Sequence, residues 1–134
     1  MRALLAFALL AGCTDEDHVI ELAVLERGGQ GTFIDVPTTA SIGETVHVRF
    51  MTEAGGCVRG DRTDVMLTEA GAEISPYDRR STGEGECPLD LQIVVREAEL
   101  VFDTPGPKTV RVLGRRVDGD IDEPIAIELP IDVR

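Results

Sequence analysis

Ile125-Ala126-Ile127-Glu128-Leu129-Pro130-Ile131-Asp132-Val133 decides how the chain folds. Every second residue is a large aliphatic, and those between are small, acidic or proline. Side chains of an extended strand point alternately to its two faces, so a period of two marks a strand with one face buried. Pro130 has no N–H to give a ladder, which places this strand at an edge or a bulge. The alternation recurs upstream. Val46, Val48 and Phe50 face inward, with His47 and Arg49 outward. Val110 and Val112 face inward in a strand over Thr109 to Leu113. Leu89, Leu91, Ile93 and Val95 alternate and lead into Glu97 to Phe102, as one long bent strand or as two.

Shorter strands are expected near Val19 to Glu26, Phe33 to Val36, Asp64 to Glu69 and, weakly, Ala72 to Ser75. Turn residues punctuate them: Gly28-Gly29-Gln30-Gly31, Ser41-Ile42-Gly43-Glu44, Gly55-Gly56-Cys57, Ala70-Gly71 and Thr104-Pro105-Gly106-Pro107. Pro76 to Pro88 and Arg115 to Pro124 read as charged loops. No helical spacing persists over two turns. Seven to nine short strands, with turns every ~8 to 12 residues, point to an all-β chain folded as an antiparallel β-sandwich.

Two stretches carry a resemblance. Leu100-Val101-Phe102-Asp103-Thr104-Pro105-Gly106-Pro107-Lys108-Thr109-Val110-Arg111-Val112 resembles the penultimate strand pair of bacterial immunoglobulin-like domains, where a Pro-Gly turn joins two core strands. Ser41-Ile42-Gly43-Glu44-Thr45-Val46 resembles the lead-in to their second strand. The resemblance implies an immunoglobulin-like sandwich over residues 18–134 and says nothing of function.

The N-terminus carries another. Met1-Arg2 supplies one positive charge, and Ala3 to Ala11 is apolar. That run falls well short of the roughly 20 residues of a spanning helix, but it suits the apolar region of a signal peptide. Leu10-Ala11-Gly12-Cys13 resembles a bacterial lipobox. The resemblance implies that residues 1–12 are a cleaved signal peptide and that Cys13 is lipidated, with residues 13–17 as a short tether. An ordinary signal peptide ending in a chance cysteine is the alternative. Thr14 stands where enteric-type sorting places Asp to retain a lipoprotein at the inner membrane, so the resemblance implies the outer membrane, although Asp15 follows one place later. The domain is then expected in the periplasm or at the cell surface.

Composition narrows the partners. The 134 residues suffice for one domain. A net charge of −12 argues against nucleic acid, which requires clustered Lys and Arg. It also disfavours adhesion to anionic lipid, so the membrane link is expected to be covalent lipid. A basic envelope protein or a cation fits the charge better. Twelve Arg against the single Lys108, with no Asn, is the bias of a GC-rich bacterial genome. Aromatic residues make up 4% and Trp is absent, so Val, Ile and Leu must build the core.

Three cysteines occur. With Cys13 carrying lipid, Cys57 and Cys87 remain as an even pair in an oxidising compartment. A disulfide between them would close a loop of about 30 residues and contribute roughly 3–4 kcal/mol. It is expected near one end of the sandwich, pinning Cys57-Val58-Arg59-Gly60 against Gly83-Glu84-Gly85-Glu86-Cys87.

Chemistry-bearing patterns are sparse. Asp118, Asp120, Asp122 and Glu123 suggest a calcium loop, because hard cations take clustered carboxylates. Glu123 stands where an EF-hand needs Gly, and Leu129 where it needs the closing Glu; a solvated hairpin loop is the plainer reading. Arg59-Gly60-Asp61 is the integrin-type tripeptide, placed on an exposed loop. His18 and His47 lack the Cys partners of a zinc site. No nucleophile elbow, phosphate loop or His-Glu-x-x-His is present. Many carboxylate pairs can be drawn, but a sugar groove wants aromatics, and only Tyr77 and four Phe exist. Tyr77 is either an interface anchor or buried with its hydroxyl bonded. The expectation is a non-catalytic binding or structural lipoprotein with no cofactor beyond its lipid. Two alternatives stand: an inhibitor of a basic envelope-attacking enzyme such as lysozyme, and a calcium-dependent module.

Overall fold

A computed structural model describes residues 17–83 and 85–134. The signal peptide and the lipidation site Cys13 lie outside the described residues. Ten strands form, and no helix occurs among the described residues: β1 (His18–Leu22), β2 (Val24–Arg27), β3 (Ile34–Asp35), β4 (Thr39–Ala40), β5 (Thr45–Gly55), β6 (Val58–Thr68), β7 (Gly71–Ser81), β8 (Leu91–Val101), β9 (Gly106–Asp118) and β10 (Ile121–Val133). The count exceeds the expected seven to nine because the strand expected near Val19 to Glu26 breaks at Ala23 into β1 and β2, and because β4 is a two-residue strand that alternation cannot register.

Alternation decides what is buried. Val46, Val48 and Phe50 of β5 point into the core and His47 and Arg49 point out, as expected. Val110 and Val112 of β9 meet Ile131 and Val133 of β10 in the same core, with Leu25, Ile74, Leu100 and Phe102. Each such side chain contributes about 1.5–3 kcal/mol by leaving water. β10 pairs with β9 and, at Asp132 and Val133 only, with β4, so Pro130 does sit on an edge strand.

The strands join one continuous sheet that curls until β8 approaches β6 without pairing to it. The pairing is mixed, not purely antiparallel. β5–β8, β6–β7 and β9–β10 are long antiparallel pairs, whereas β2 and β7 run parallel to β9, and β4 parallel to β10. The cause is a fork. β7 and β9 pair from Gly71/Thr109 to Ile74/Val112 and then separate. The N-terminal segment fills the gap: β1 runs along β7 towards the fork, and β2 leaves along β9. At the bend, the buried Ala23 donates its N–H to Pro76 O (2.9 Å) and accepts from Arg115 N–H (2.9 Å).

Two expected loops are strands. Pro76 to Ser81 belongs to β7. Pro76 lies opposite Thr63, beside a register shift between Gly60 and Thr63, and such irregularities are where a sheet admits proline. Arg115 to Pro124 is the end of the β9–β10 hairpin. Its charges pair across the ladder, Arg115 with Asp122 (2.8 Å) and Arg116 with Glu123 (3.1 Å), and Gly119 (φ 57°) turns the chain in two residues.

Candidate interaction face at the disulfide end

The chain enters the described structure at one end of the curled sheet. Thr82 N–H donates to Asp17 O (2.9 Å), and His18 lies opposite Ser81 in the β1–β7 ladder. Ser81 N–H donates to Cys57 O (3.0 Å), in the turn between β5 and β6. Cys57 is joined to Cys87 by a disulfide, with Cα atoms 5.0 Å apart. Gly56 N–H then meets both Asp90 O and Asp90 Oδ1 at 3.2 Å. Five segments therefore converge here: the start of β1, the end of β7, the β5–β6 turn, the Cys87 segment and the start of β8. Gly55 must be glycine, because a Cβ there would collide with Asp90 O. Hydrogen bonds from Gln92 and then from Gly56 N–H hold the Asp90 carboxyl below its usual range.

An apolar face rises from this end. β8 pairs with β5 without a bulge from Leu91↔Gly55 to Val101↔Thr45. Its even residues, Arg96, Ala98 and Leu100, are buried, so its odd residues point outward. Leu91 is 61% exposed, Ile93 55% and Val95 47%, and Leu89 just before the strand is fully exposed. Met51 lies opposite Val95 on the same outer face. Phe33, 60% exposed, shares with Met51 and Ile93 a shallow groove of 130 Å³. Thr32 Oγ1 pins the Phe33 loop by donating to Met51 O. Higher on the face the residues become charged: Arg49 lies opposite Glu97 and His47 opposite Glu99. A mainly apolar half, in which Glu53 opposite Ile93 is paired with Arg27 (2.9 Å), and a charged half thus share one strand pair.

Behind this face lies a buried ion pair that sequence reading missed. Arg96 Nη2 donates to Asp78 Oδ1; the two residues are 5% and 0% exposed. Arg96 also donates to Thr52 Oγ1 (3.1 Å), Tyr77 O (3.0 Å) and Arg62 O (3.3 Å). It thereby ties β8 to β5, β6 and β7 across the seam where β8 and β6 do not pair. Asp78 Oδ2 has no hydrogen-bond partner among the described residues. Burial raises the Asp78 carboxyl above its ordinary range, while Arg96 pulls it down. In the sequence, Arg96 stands within an expected strand, but Asp78 falls in the Pro76 to Pro88 stretch whose composition is that of a charged loop, so nothing local pairs the two.

The other candidates are dispersed. Arg59-Gly60-Asp61 lies within β6, not on a loop. Arg59 donates to Gly56 O (2.9 Å) and Val58 O (2.8 Å), and Asp61 pairs with Arg62 (3.3 Å) and Arg79 (3.5 Å). A Cβ on Gly60 would sit 3.1 Å from Val94, so glycine allows β6 its close approach to β8. Asp118 and Asp120 flank the exposed β9–β10 turn, while Asp122 and Glu123 pair with separate arginines. No group of three or more metal-ligating side chains gathers among the described residues. His47 is exposed beside Glu99 (3.7 Å), and His18 opens β1. Tyr77 is half-buried, with the Arg62 guanidinium 4.6 Å above its ring. Comparison of the chain with protein-family models, curated proteins and solved structures returns no match.

Proposed function

We propose that this chain is a bacterial outer-membrane lipoprotein, anchored through Cys13, whose single immunoglobulin-like domain is a non-catalytic binding or structural module of the envelope. The observation that carries the reading is the Cys57–Cys87 bridge. Stable disulfides belong to oxidising compartments. The bridge uses two of the three cysteines and leaves Cys13 for lipid. The chain also enters the domain only four residues after Cys13, at the end that the bridge pins.

The immunoglobulin-like reading rests on strand order. The antiparallel β5–β8 pair stands where such domains pair their second and fifth strands, and the β9–β10 hairpin where they pair their last two. The parallel approach of β7 to β9, and the joining of the strands in one continuous sheet in place of two, depart from that plan. A binding role is supported by the apolar half-face on β5 and β8, since an exposed apolar cluster on a small domain commonly marks an interaction surface.

Fractionation of cells expressing Cys13→Ser tests the reading. The wild-type protein is expected in the membrane pellet after a high-salt wash, and the variant in the soluble periplasmic fraction. A variant that stays in the washed pellet contradicts the anchor.

A further inference from the structure

The apolar half-face begins at the end of the molecule where the chain enters at Asp17. We propose that Leu89, Leu91 and Ile93 bed into the bilayer that holds the Cys13 lipid, making the domain a membrane-apposed module and not one held clear of the surface. This inference rests on the lipid-anchor reading and adds a second, non-covalent contact to it.

Reach comes first. Asp17 is fixed to Thr82 beside the disulfide turn, and Cys13 is four residues earlier. Four extended residues span at most about 14 Å. A lipid on Cys13 therefore keeps Asp17 within that distance of the interface, and a relay of hydrogen bonds, Thr82 to Asp17, Ser81 to Cys57 and Gly56 to Asp90, joins that point to the start of β8. Leu89 and Leu91 flank Asp90 at this end, whereas Thr45 and Val101 close the same ladder about 33 Å away at roughly 3.3 Å per residue.

The surface chemistry agrees. Leu89 is fully exposed, and Leu91 and Ile93 are more than half exposed, with nothing among the described residues covering them. The carboxylates set among them are occupied: Asp90 accepts from Gly56 N–H and from Gln92 Nε2 (2.7 Å), and Glu53, opposite Ile93, accepts from Arg27 Nε (2.9 Å). Along β8 the outer face then passes from aliphatic to Glu97 and Glu99, as the surface of a body partly sunk in an interface should. Apolar side chains at such a boundary settle roughly 5–10 Å below the headgroups, a depth these residues can reach without carrying Glu97 and Glu99 in, while Glu53, opposite Ile93, enters with its charge paired to Arg27. Tethering raises the local concentration of the face at the bilayer, so three aliphatic side chains suffice to keep it there although they would not recruit a free protein. The net charge of −12 makes a zwitterionic surface the fitting one.

The chain has no Trp, so one introduced Trp gives an unmixed signal. Lipidated mature protein carrying Leu89→Trp or Leu91→Trp would be reconstituted into vesicles of phosphatidylcholine and phosphatidylethanolamine brominated near the top of the acyl chains. Asp103→Trp, just beyond the far end of β8, is the control. Bromolipid is expected to quench the two face variants by at least about twofold, with a blue shift, and to leave Asp103→Trp unchanged, because quenching needs penetration to the acyl boundary. Face variants that are unquenched and open to aqueous acrylamide, in protein that floats with the vesicles, overturn the contact while leaving the anchor intact. Face variants unquenched by bromolipid yet shielded from acrylamide overturn it in favour of a second copy or another protein. A mature chain that mass spectrometry finds without lipid overturns the anchor and this contact together.

Discussion

Replacing Arg96 by Met should cost stability in a way that depends on pH. The substitution removes the guanidinium that donates to Asp78 Oδ1, and Oδ2 already has no partner among the described residues. Asp78 is then a fully buried carboxylate with its counter-charge gone. Removing one member of a buried pair costs about 3–5 kcal/mol at neutral pH, much of it the stranded charge. Burial already raises the Asp78 carboxyl in the presence of Arg96, and loss of Arg96 raises it further. A carboxyl whose folded pKa exceeds its unfolded value of about 3.9 takes up a proton on folding. The stability gained from that proton is fully present below the unfolded pKa and is lost as pH rises through the folded one. The Arg96→Met penalty should therefore shrink on acidification towards pH ~4. Asp78→Asn should be destabilising with a nearly flat penalty, because the stranded group is then a guanidinium that stays charged. The double variant Asp78→Leu with Arg96→Met should recover most of the loss, as apolar replacements of buried pairs commonly do. Urea titrations followed by circular dichroism at a series of pH values measure all three. A penalty for Arg96→Met below about 1 kcal/mol, with no pH dependence, would mean that the pair is solvated and refute the reasoning.

Cys57→Ser should lower stability by roughly 3–4 kcal/mol under oxidising conditions and leave the reduced protein nearly unaffected; equal losses in both states would show that the thiol, not the bridge, matters. Gly71→Ala should destabilise by more than about 1 kcal/mol in thermal melts, because a Cβ there collides with Thr109 O where β7 and β9 begin to pair and φ is 151°. Leu91→Ser should change stability by no more than about 0.5 kcal/mol, since an outward side chain on β8 has no core contact to lose. A loss of several kcal/mol there would mean that the apolar face is covered within the fold.

The all-β class was legible because alternation at Val46 to Phe50, Thr109 to Leu113 and Ile125 to Val133 registers the faces of strands. What alternation cannot show is which face is covered. On β8 the odd residues Leu89 to Val95 are aliphatic, and from Ala98 the even residues take over, a change of phase that reads as a bend. The unbroken β5–β8 register makes it one continuous strand with apolar residues on opposite faces of its two halves. The charged stretches hide their strands for a related reason. Arg115, Arg116, Asp122 and Glu123 look like a solvated loop until the hairpin sets Arg116 opposite Glu123 and Arg115 diagonal to Asp122. Pro76 hid β7 and, with it, Asp78, whose partner Arg96 is on another strand and thus beyond any local pattern. The fork that makes the sheet mixed depends on β1 and β2 finding two different neighbours, a long-range choice that local sequence does not encode.

The intact mass and N-terminal peptide of the protein recovered from detergent-solubilised envelope test the central claim most directly. The lipid-anchor reading predicts a chain starting at Cys13 and carrying lipid on that residue, with Cys57 and Cys87 oxidised. A chain that retains residues 1–12, or one that starts elsewhere with Cys13 absent or unmodified, would contradict it.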